Sequence, residues 1–174
     1  MPEDTTSTWE SARDDFVAQW GALGSHWGIN RTMAQIHALL MTAPEPMFTD
    51  EIMEKLTISR GNANTNLREL VGWGLIQIIH RKGERREYFQ AEKDVWKMVV
   101  TIARERKRRE IQPALEVLKS CAERTKAEGA GPGREFHQQM KELQEFVEFG
   151  IKVADTVVSM KHASALQWAM KLLG

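Results

Sequence analysis

The stretch from Ser59 to Gly74 limits the possible folds of this chain more than any other. It begins with a serine, which can accept a hydrogen bond from an amide of the first helical turn. It ends with a glycine suited to left-handed backbone. The spacing predicts a helix of about four turns. At about 100° per residue, its apolar residues share one side: Ala63, Leu67, Leu70 and Val71.

The opposite side of this helix carries amide, hydroxyl and guanidinium groups instead of alternating lysine and glutamate. Such groups match the hydrogen-bonding geometries of base edges and phosphates, and a glycine among them permits close approach of another surface. The residues are Gly61, Asn62, Thr65, Arg68 and Glu69, with Asn64 and Asn66 at the margins. An ordinary solvated helix face would explain the same residues. The flanking segments must therefore distinguish that interpretation from a nucleic-acid-binding face.

Those flanking segments complete a recognisable arrangement. A short helix is predicted from Asp50 to Leu56, capped by Thr49, and Thr57-Ile58 forms a tight turn into the central helix. After Gly74 the apolar period changes from 3.6 to 2, which predicts a strand, and residues 87–90 form the returning strand. Two helices joined by a short turn and followed by a β-hairpin are typical of a winged helix-turn-helix.

The predicted hairpin tip, residues 81–86, places four positive charges around Gly83. We expect Lys82, Arg85 and Arg86 to reach backbone phosphates or a minor groove, contributing affinity with little sequence choice. The alternative is a merely soluble loop. The formal net charge of the chain is zero, but the charge is uneven: residues 1–57 carry −6, residues 58–109 carry +7 and residues 110–174 carry −1. The positive third contains both the central helix and the hairpin.

Helices are predicted on both sides of this unit. An N-terminal helix over residues 5–24 has Trp9, Phe16 and Trp20 at helical spacing, and glycines are expected to break the chain after it. Asn30 is expected to cap a second helix over residues 31–41, with His37 as a hydrogen-bonded histidine at the edge of the core.

The C-terminal region is predicted to be helical. A long helix follows Asp94 and carries a basic cluster over residues 104–109, which either extends a phosphate-facing surface or merely solvates the helix. Pro113 must kink or restart that helix. Residues 128–133 form a linker, and an apolar stripe continues to the end of the chain, where self-association would cover it: Phe136, Met140, Leu143, Phe146, Val147, Gly150, Ile151, Ala154, Val157, Val158, Leu166 and Ala169.

Other functional classes find little support. The five histidines lack metal-ligand spacing, no phosphate-binding glycine-rich loop follows a buried strand, and no nucleophile motif occurs. We therefore expect no enzymatic activity, metal or cofactor. Cys121 has no internal disulfide partner, and the sequence contains no signal-peptide pattern or membrane span. These features predict a cytoplasmic protein that does not enter a membrane.

The chain resembles the GbsR subgroup of MarR-type winged-helix transcription regulators over roughly residues 15–110. The resemblance rests on Trp27-Gly28 with Arg31, on residues 59–62 and 66–70, on Trp73-Gly74-Leu75, and on residues 83–89. It implies a homodimer held by terminal helices, with one recognition helix and wing on each half of a near-palindromic operator. Some members of the subgroup control choline uptake and glycine betaine synthesis, which suggests a choline-like amine as a small-molecule effector.

The combined prediction is a mainly α protein, a winged helix-turn-helix with a small β-hairpin wing and long terminal dimerisation helices. Residues 1–28 would form an N-terminal helix of the dimer interface, 29–93 the DNA-binding domain and 94–174 the dimerisation region. Asn62, Thr65 and Arg68 would read bases, while Ser59, Arg60 and Asn64 hold phosphates and Gly61 allows close approach. We expect a repressor acting on double-stranded DNA. The alternative is a winged-helix docking module without specific DNA binding.

Overall fold

The computed structural model describes residues 7–159. Its elements are α1 (Thr8–His26), α2 (Arg31–Thr42), β1 (Met47–Phe48), α3 (Thr49–Leu56), α4 (Arg60–Trp73), β2 (Ile76–His80), β3 (Glu87–Ala91), α5 (Val95–Arg106), α6 (Gln112–Arg124) and α7 (Gly131–Ser159). A π-helical turn, Lys107–Ile111, joins α5 to α6. Contacts divide the chain into two units, Met1–Met98 and Val99–Gly174.

The strands form one antiparallel sheet in the order β1-β3-β2. Strand β3 is central, and its Phe89, for example, lies opposite Ile78 of β2 and also opposite Met47 of β1. The sequence predicted the hairpin and left residues 47 and 48 merely extended. The result is a mainly helical chain with a small sheet, which confirms the predicted winged helix-turn-helix fold.

Apolar sides of α2, α3 and α4 form the core of the first unit. The largest fully buried side chains are Ile36, Leu40, Ile52, Leu67 and Leu70. On α4, the predicted inner side is buried at Ala63, Leu67 and Leu70, whereas Val71 is only half-buried. Because α4 contributes one continuous apolar stripe to this core, its orientation about its own axis is fixed.

Helix α1 passes through Gly21 and Gly24 and ends at His26, two residues beyond the predicted end. Both glycines are buried against α2, where Cβ atoms would collide with Gln35 and Ala34. The glycines therefore allow close packing of two helices instead of breaking one. The chain turns at Gly28, whose φ is +75°.

Two smaller predictions in the first unit need correction. The N-cap of α3 is Phe48 and not Thr49, because the backbone N–H of Phe48 donates to the Glu51 carboxylate at 2.9 Å while β1 holds this residue extended. His37 is 3% exposed, and its Nε2 atom has no hydrogen-bond partner among the described residues. It is a buried core residue, not the hydrogen-bonded histidine that the sequence predicted. The predicted cap of α2 is confirmed, since Asn30 Oδ1 accepts from the Met33 amide at 3.1 Å.

All regular elements in the described part of the second unit are helices. Pro113 lies in the first turn of α6, directly after the π-helical turn. The residues on either side of that turn, Arg106 and Gln112, keep right-handed helical backbone, so the helix continues through it and does not restart at the proline. Helix α7 begins at Gly131, inside the predicted linker. It packs on α6, where His137 Nδ1 lies 2.9 Å from the Ala122 carbonyl oxygen. Leu166 and Ala169 lie outside the described residues. No helix between residues 7 and 159 is both long enough and apolar enough to cross a membrane.

Candidate nucleic-acid interface

The turn between α3 and α4 sets where α4 begins. Thr57 adopts left-handed backbone, with φ 53° and ψ 47°, and ends α3. Ser59 then caps α4, and its hydroxyl accepts from the Asn62 amide at 3.3 Å. The serine therefore performs the capping role predicted from the sequence, and it remains exposed at the helix start.

The polar side of α4 is exposed along most of its length. Gly61, Asn62, Asn64, Thr65 and Arg68 are all exposed, and a Cβ atom at Gly61 would have open space within 4 Å. Among the residues that the structure describes, nothing covers this side of the helix at Gly61. The sequence prediction of an outward polar face is therefore matched by the observed burial pattern.

Asn66 differs from its predicted marginal position, because it is 4% exposed. Its Nδ2 donates to the Asn62 carbonyl oxygen at 2.8 Å and to Asn62 Oδ1 at 2.7 Å. The side-chain nitrogen of Asn62, Nδ2, in turn donates to the Thr32 hydroxyl at 3.4 Å. Both ends of the Asn62 side-chain amide are thus engaged by protein, and Asn62 must exchange these contacts before it can bind a base edge with two hydrogen bonds.

Each arginine of α4 is paired with a carboxylate. Arg60 bonds to Asp50 of α3, and Arg68 Nη2 lies 2.6 Å from Glu87 Oε2 at the start of β3. All four side chains keep substantial exposure, with Arg68 at 60% and Glu87 at 37%. Exposed pairs of this kind are weak, so a phosphate or base could take over either guanidinium.

The four cations of the hairpin tip fall into two groups, two without a salt bridge and two stacked on aromatic rings. Lys82 and Arg85 are exposed and make no salt bridge with any residue between 7 and 159. Arg86 instead lies over the Phe48 ring at 4.8 Å, and Arg81 lies over the Tyr88 ring at 4.1 Å. Two charges therefore extend freely while two are stacked on the sheet.

Tyr88 links the sheet to the tip. Its hydroxyl donates to the Glu84 carboxylate, and this bond, with a smaller contribution from burial, raises the pKa of the Tyr88 phenol. The turn itself closes through the Glu84 amide and the Arg81 carbonyl oxygen at 3.1 Å, with Gly83 at φ +86°. The hairpin tip is thus held in a defined shape.

The basic cluster over residues 104–109 lies at the end of α5 and in the π-helical turn. Several of its cations are neutralised inside the second unit, since Arg108 and Arg109 bond to Glu105 and Lys107 bonds to Asp155 at 2.6 Å. The Arg108 guanidinium is the main cause of a lowered pKa at Glu105. This pairing favours a helix-solvating role for the cluster over a phosphate-facing one.

The sequence did not point to three residues that shape this surface. Thr32 reaches Asn62 from α2, and Asp50 and Glu87 hold the two arginines of α4. Each contact joins positions on different elements, so local patterning contains no signal for it. Among residues 7–159 no group of three or more histidine, cysteine, aspartate or glutamate side chains could hold a metal ion.

Proteins similar to this chain are regulators. YvaV of Bacillus subtilis, which carries the name of an HTH-type transcriptional regulator, is 21% identical over 102 residues, covering 59% of this chain and 58% of YvaV. The HTH-type transcriptional regulator MmpR5 of Mycobacterium tuberculosis is 31% identical over 77 residues, covering 44% of this chain and 47% of MmpR5. The chain spans about half the length of these curated relatives.

A solved structure of a transcriptional regulator has the same fold. It superposes with a TM-score of 0.61 at 21% identity, covering 84% of this chain and 95% of that one. No protein-family model matches the chain. Similarity at this level of identity concerns the fold alone.

Proposed function

We propose that this protein is a sequence-specific, double-stranded-DNA-binding transcription regulator that acts as a homodimer. The observation that carries the proposal is the open polar side of α4, with Gly61, Asn62, Thr65 and Arg68 exposed in succession beside a cationic hairpin tip. A helix of this kind fits the major groove, and the hairpin reaches the adjacent backbone. The regulators named above support the same class of function.

The proposed contacts divide into two groups. Thr65 and Arg68 would read bases, with Asn62 joining them once it leaves Asn66, because arginine suits guanine and asparagine suits adenine. Phosphates would be bound by Ser59, Arg60 and Asn64 on α4 and by Lys82, Arg85 and Arg86 on the hairpin. Gly61 would allow the backbone of α4 to approach the duplex.

The proposed homodimer draws support from exposed apolar side chains on the terminal helices. On α7, Phe146 is 73% exposed and Phe149 is 65% exposed, and on α1 Trp9 is 56% exposed. Large apolar surface of this kind is commonly covered by a partner. The family resemblance adds residues 1–28 and 94–174 as the segments that contribute, and a two-fold dimer would bind a near-palindromic operator.

The proposed effector is a choline-like amine, the class that the resemblance to the GbsR subgroup suggests. In its support, the rings of Trp20 and Trp27 pack edge to face with their centroids 6.3 Å apart, and Trp27 is 56% exposed. Quaternary ammonium groups bind to aromatic faces. Quenching of tryptophan fluorescence by choline, lost in Trp27→Ala and kept in Trp9→Ala, is the expected result, and no response in the wild type would remove this class of effector.

The experiment that tests the proposed function is selection of bound fragments from random duplex DNA by the full chain. We expect a recovered site with two-fold symmetry and an affinity that falls steeply with rising salt. A docking module that binds another protein would instead show little duplex affinity at any salt. Recovery of unrelated fragments with no shared sequence would overturn the proposal.

A single substitution tests the base-reading part. Arg68→Ala should weaken binding to the selected duplex by roughly 1–3 kcal/mol, the scale of one lost base contact. Arg85→Ala is the comparison, because a phosphate contact should affect selected and random duplexes alike. Equal losses on both duplexes for Arg68→Ala would remove that residue from the base-reading group.

A further inference from the structure

We propose that Tyr88 is a positioning residue of the DNA interface, which holds the Glu84 carboxylate away from the cations of the hairpin tip. The inference rests on the proposed DNA-binding function. It extends that function to a side chain that is only 7% exposed and does not itself reach a duplex. Its consequence is that the cations of the tip stay available to phosphates.

The hairpin tip has an unusual pairing of charges. Residues 81–86 contain one acid, Glu84, among four cations. None of these cations forms a salt bridge with any residue between 7 and 159. The Glu84 carboxylate instead accepts a hydrogen bond from the neutral hydroxyl of Tyr88. A carboxylate so close to arginines would ordinarily pair with one, since the guanidinium fork matches its two oxygens.

The position of Tyr88 in the sheet explains this preference. Tyr88 lies in the central strand, opposite Phe48 of β1 and Ile79 of β2, so strand pairing fixes its backbone on both sides. Its ring packs edge-on against the Phe48 ring, with the centroids 5.7 Å apart. The hydroxyl is therefore held in place before it bonds to the carboxylate. A salt bridge at the tip would instead have to order two long exposed side chains.

The same two rings hold the arginines of the tip by their faces. Arg81 lies over the Tyr88 ring and Arg86 over the Phe48 ring. Stacking leaves the N–H donors at the edge of each guanidinium available to phosphate oxygens, whereas a bond to Glu84 would occupy them. Without the Tyr88 hydroxyl, the carboxylate would pair with a neighbouring arginine, and every duplex would have to displace it. That cost is the same for all sequences, because phosphates do not differ between them.

The test is Tyr88→Phe in the full chain, which removes the hydroxyl and keeps the ring. Dissociation constants are measured for the duplex selected by the wild type and for a scrambled duplex of equal length. We expect both affinities to fall by roughly two- to five-fold, the range of one exposed ion pair that must be broken. In a Glu84→Gln background, Tyr88→Phe should change neither affinity, because no carboxylate is left to release. A merely structural role of Tyr88 would lower the affinity in both backgrounds.

A measurement without DNA checks the contact itself. Tyr88 is the only tyrosine of the chain, so ultraviolet absorbance follows the ionisation of this one phenol. The bond to Glu84 is the main cause of the raised pKa of Tyr88, and Glu84→Gln should therefore lower that pKa. Circular dichroism confirms that each variant is folded.

Three results would overturn this inference: an unchanged Tyr88 pKa in Glu84→Gln, wild-type affinity in Tyr88→Phe, or a loss in Tyr88→Phe that persists in the Glu84→Gln background. Failure of the proposed function looks different. In that case the wild type shows no salt-dependent affinity for either duplex, while the Tyr88 pKa still falls in Glu84→Gln.

Discussion

Gly24 of α1 lies so close to Ala34 of α2 that a Cβ atom at position 24 would be 2.6 Å from the Ala34 Cβ. Real Cβ atoms do not approach so closely, so Gly24→Ala must push the two helices apart. We expect a loss of about 1–3 kcal/mol in the free energy of unfolding, the usual scale for overpacking. Urea unfolding followed by circular dichroism measures it.

Two control variants make that prediction specific. Gly72→Ala adds the same methyl group to α4 in open space and should stabilise by about 0.5–1 kcal/mol, as alanine does in helices. Combining Gly24→Ala with Ala34→Gly removes the Ala34 Cβ with which the new methyl group collides. The double variant should therefore recover part of the lost free energy of unfolding. Wild-type stability in Gly24→Ala alone would contradict the proposed close packing.

Burial gives His37 a defined pH dependence. Loss of solvation lowers the pKa of His37 from 6.5 to about 4. The unfolded chain therefore takes up a proton below about pH 6.5 while the folded chain does not, so stability is complete above that pH. It should fall between pH 6.5 and pH 4, by at most about 3 kcal/mol from this residue.

The measurement is urea unfolding of wild type and His37→Leu across that pH range. The difference between the two proteins isolates the histidine, and it should shrink or reverse as the pH falls, since leucine has no proton to take up. His80→Gln changes an exposed histidine and serves as the control. Parallel pH profiles for wild type and His37→Leu would count against a buried neutral imidazole.

Thr57 is the only described residue other than glycine with a positive φ, at 53°. Left-handed backbone crowds the Cβ of a β-branched residue, and glycine removes that crowding. Thr57→Gly should therefore raise the unfolding free energy by about 1 kcal/mol. Thr42→Gly, in the last turn of α2, should lower it, and a shift of the same sign in both variants would contradict the prediction.

A substitution at Gly61 can test DNA binding without disturbing the fold. Because its Cβ position is open, Gly61→Leu should fold with at least wild-type stability. On the proposed function, the new side chain would hold α4 away from the duplex and weaken binding at least tenfold, which corresponds to about 1.4 kcal/mol. Gly129→Leu places the same side chain in open space outside α4 and should bind normally. Equal affinities for the two variants would place the duplex elsewhere.

The parts of the fold that the sequence predicted well depend on nearby residues. Ser59 caps α4 and Gly74 ends it at φ 74°, and both roles follow from the chemistry of single residues beside the helix. The hairpin follows from a change of apolar period at the same glycine. Such local preferences predict the structure correctly because the tertiary contacts favour the same conformation.

The parts that were missed depend on contacts between distant residues. Glycine weakens a helix on its own, yet at Gly21 and Gly24 the packing against α2 outweighs that preference. In the sequence Asn66 is an ordinary polar residue. It can be buried because its side-chain amide donates two hydrogen bonds to Asn62. The Arg68–Glu87 pair depends on how α4 faces β3, which neither segment encodes alone.

The π-helical turn over Lys107–Ile111 has a consequence for comparing sequences of this fold. A turn closed by i→i+5 bonds holds one residue more than an α-turn, so a relative with a regular helix here would be one residue shorter in the middle of an unbroken element. Alignments rarely open a gap inside a helix. Similarity beyond Arg106 would then be scored out of step by one position, and homologues would seem more divergent in this half than their structures are.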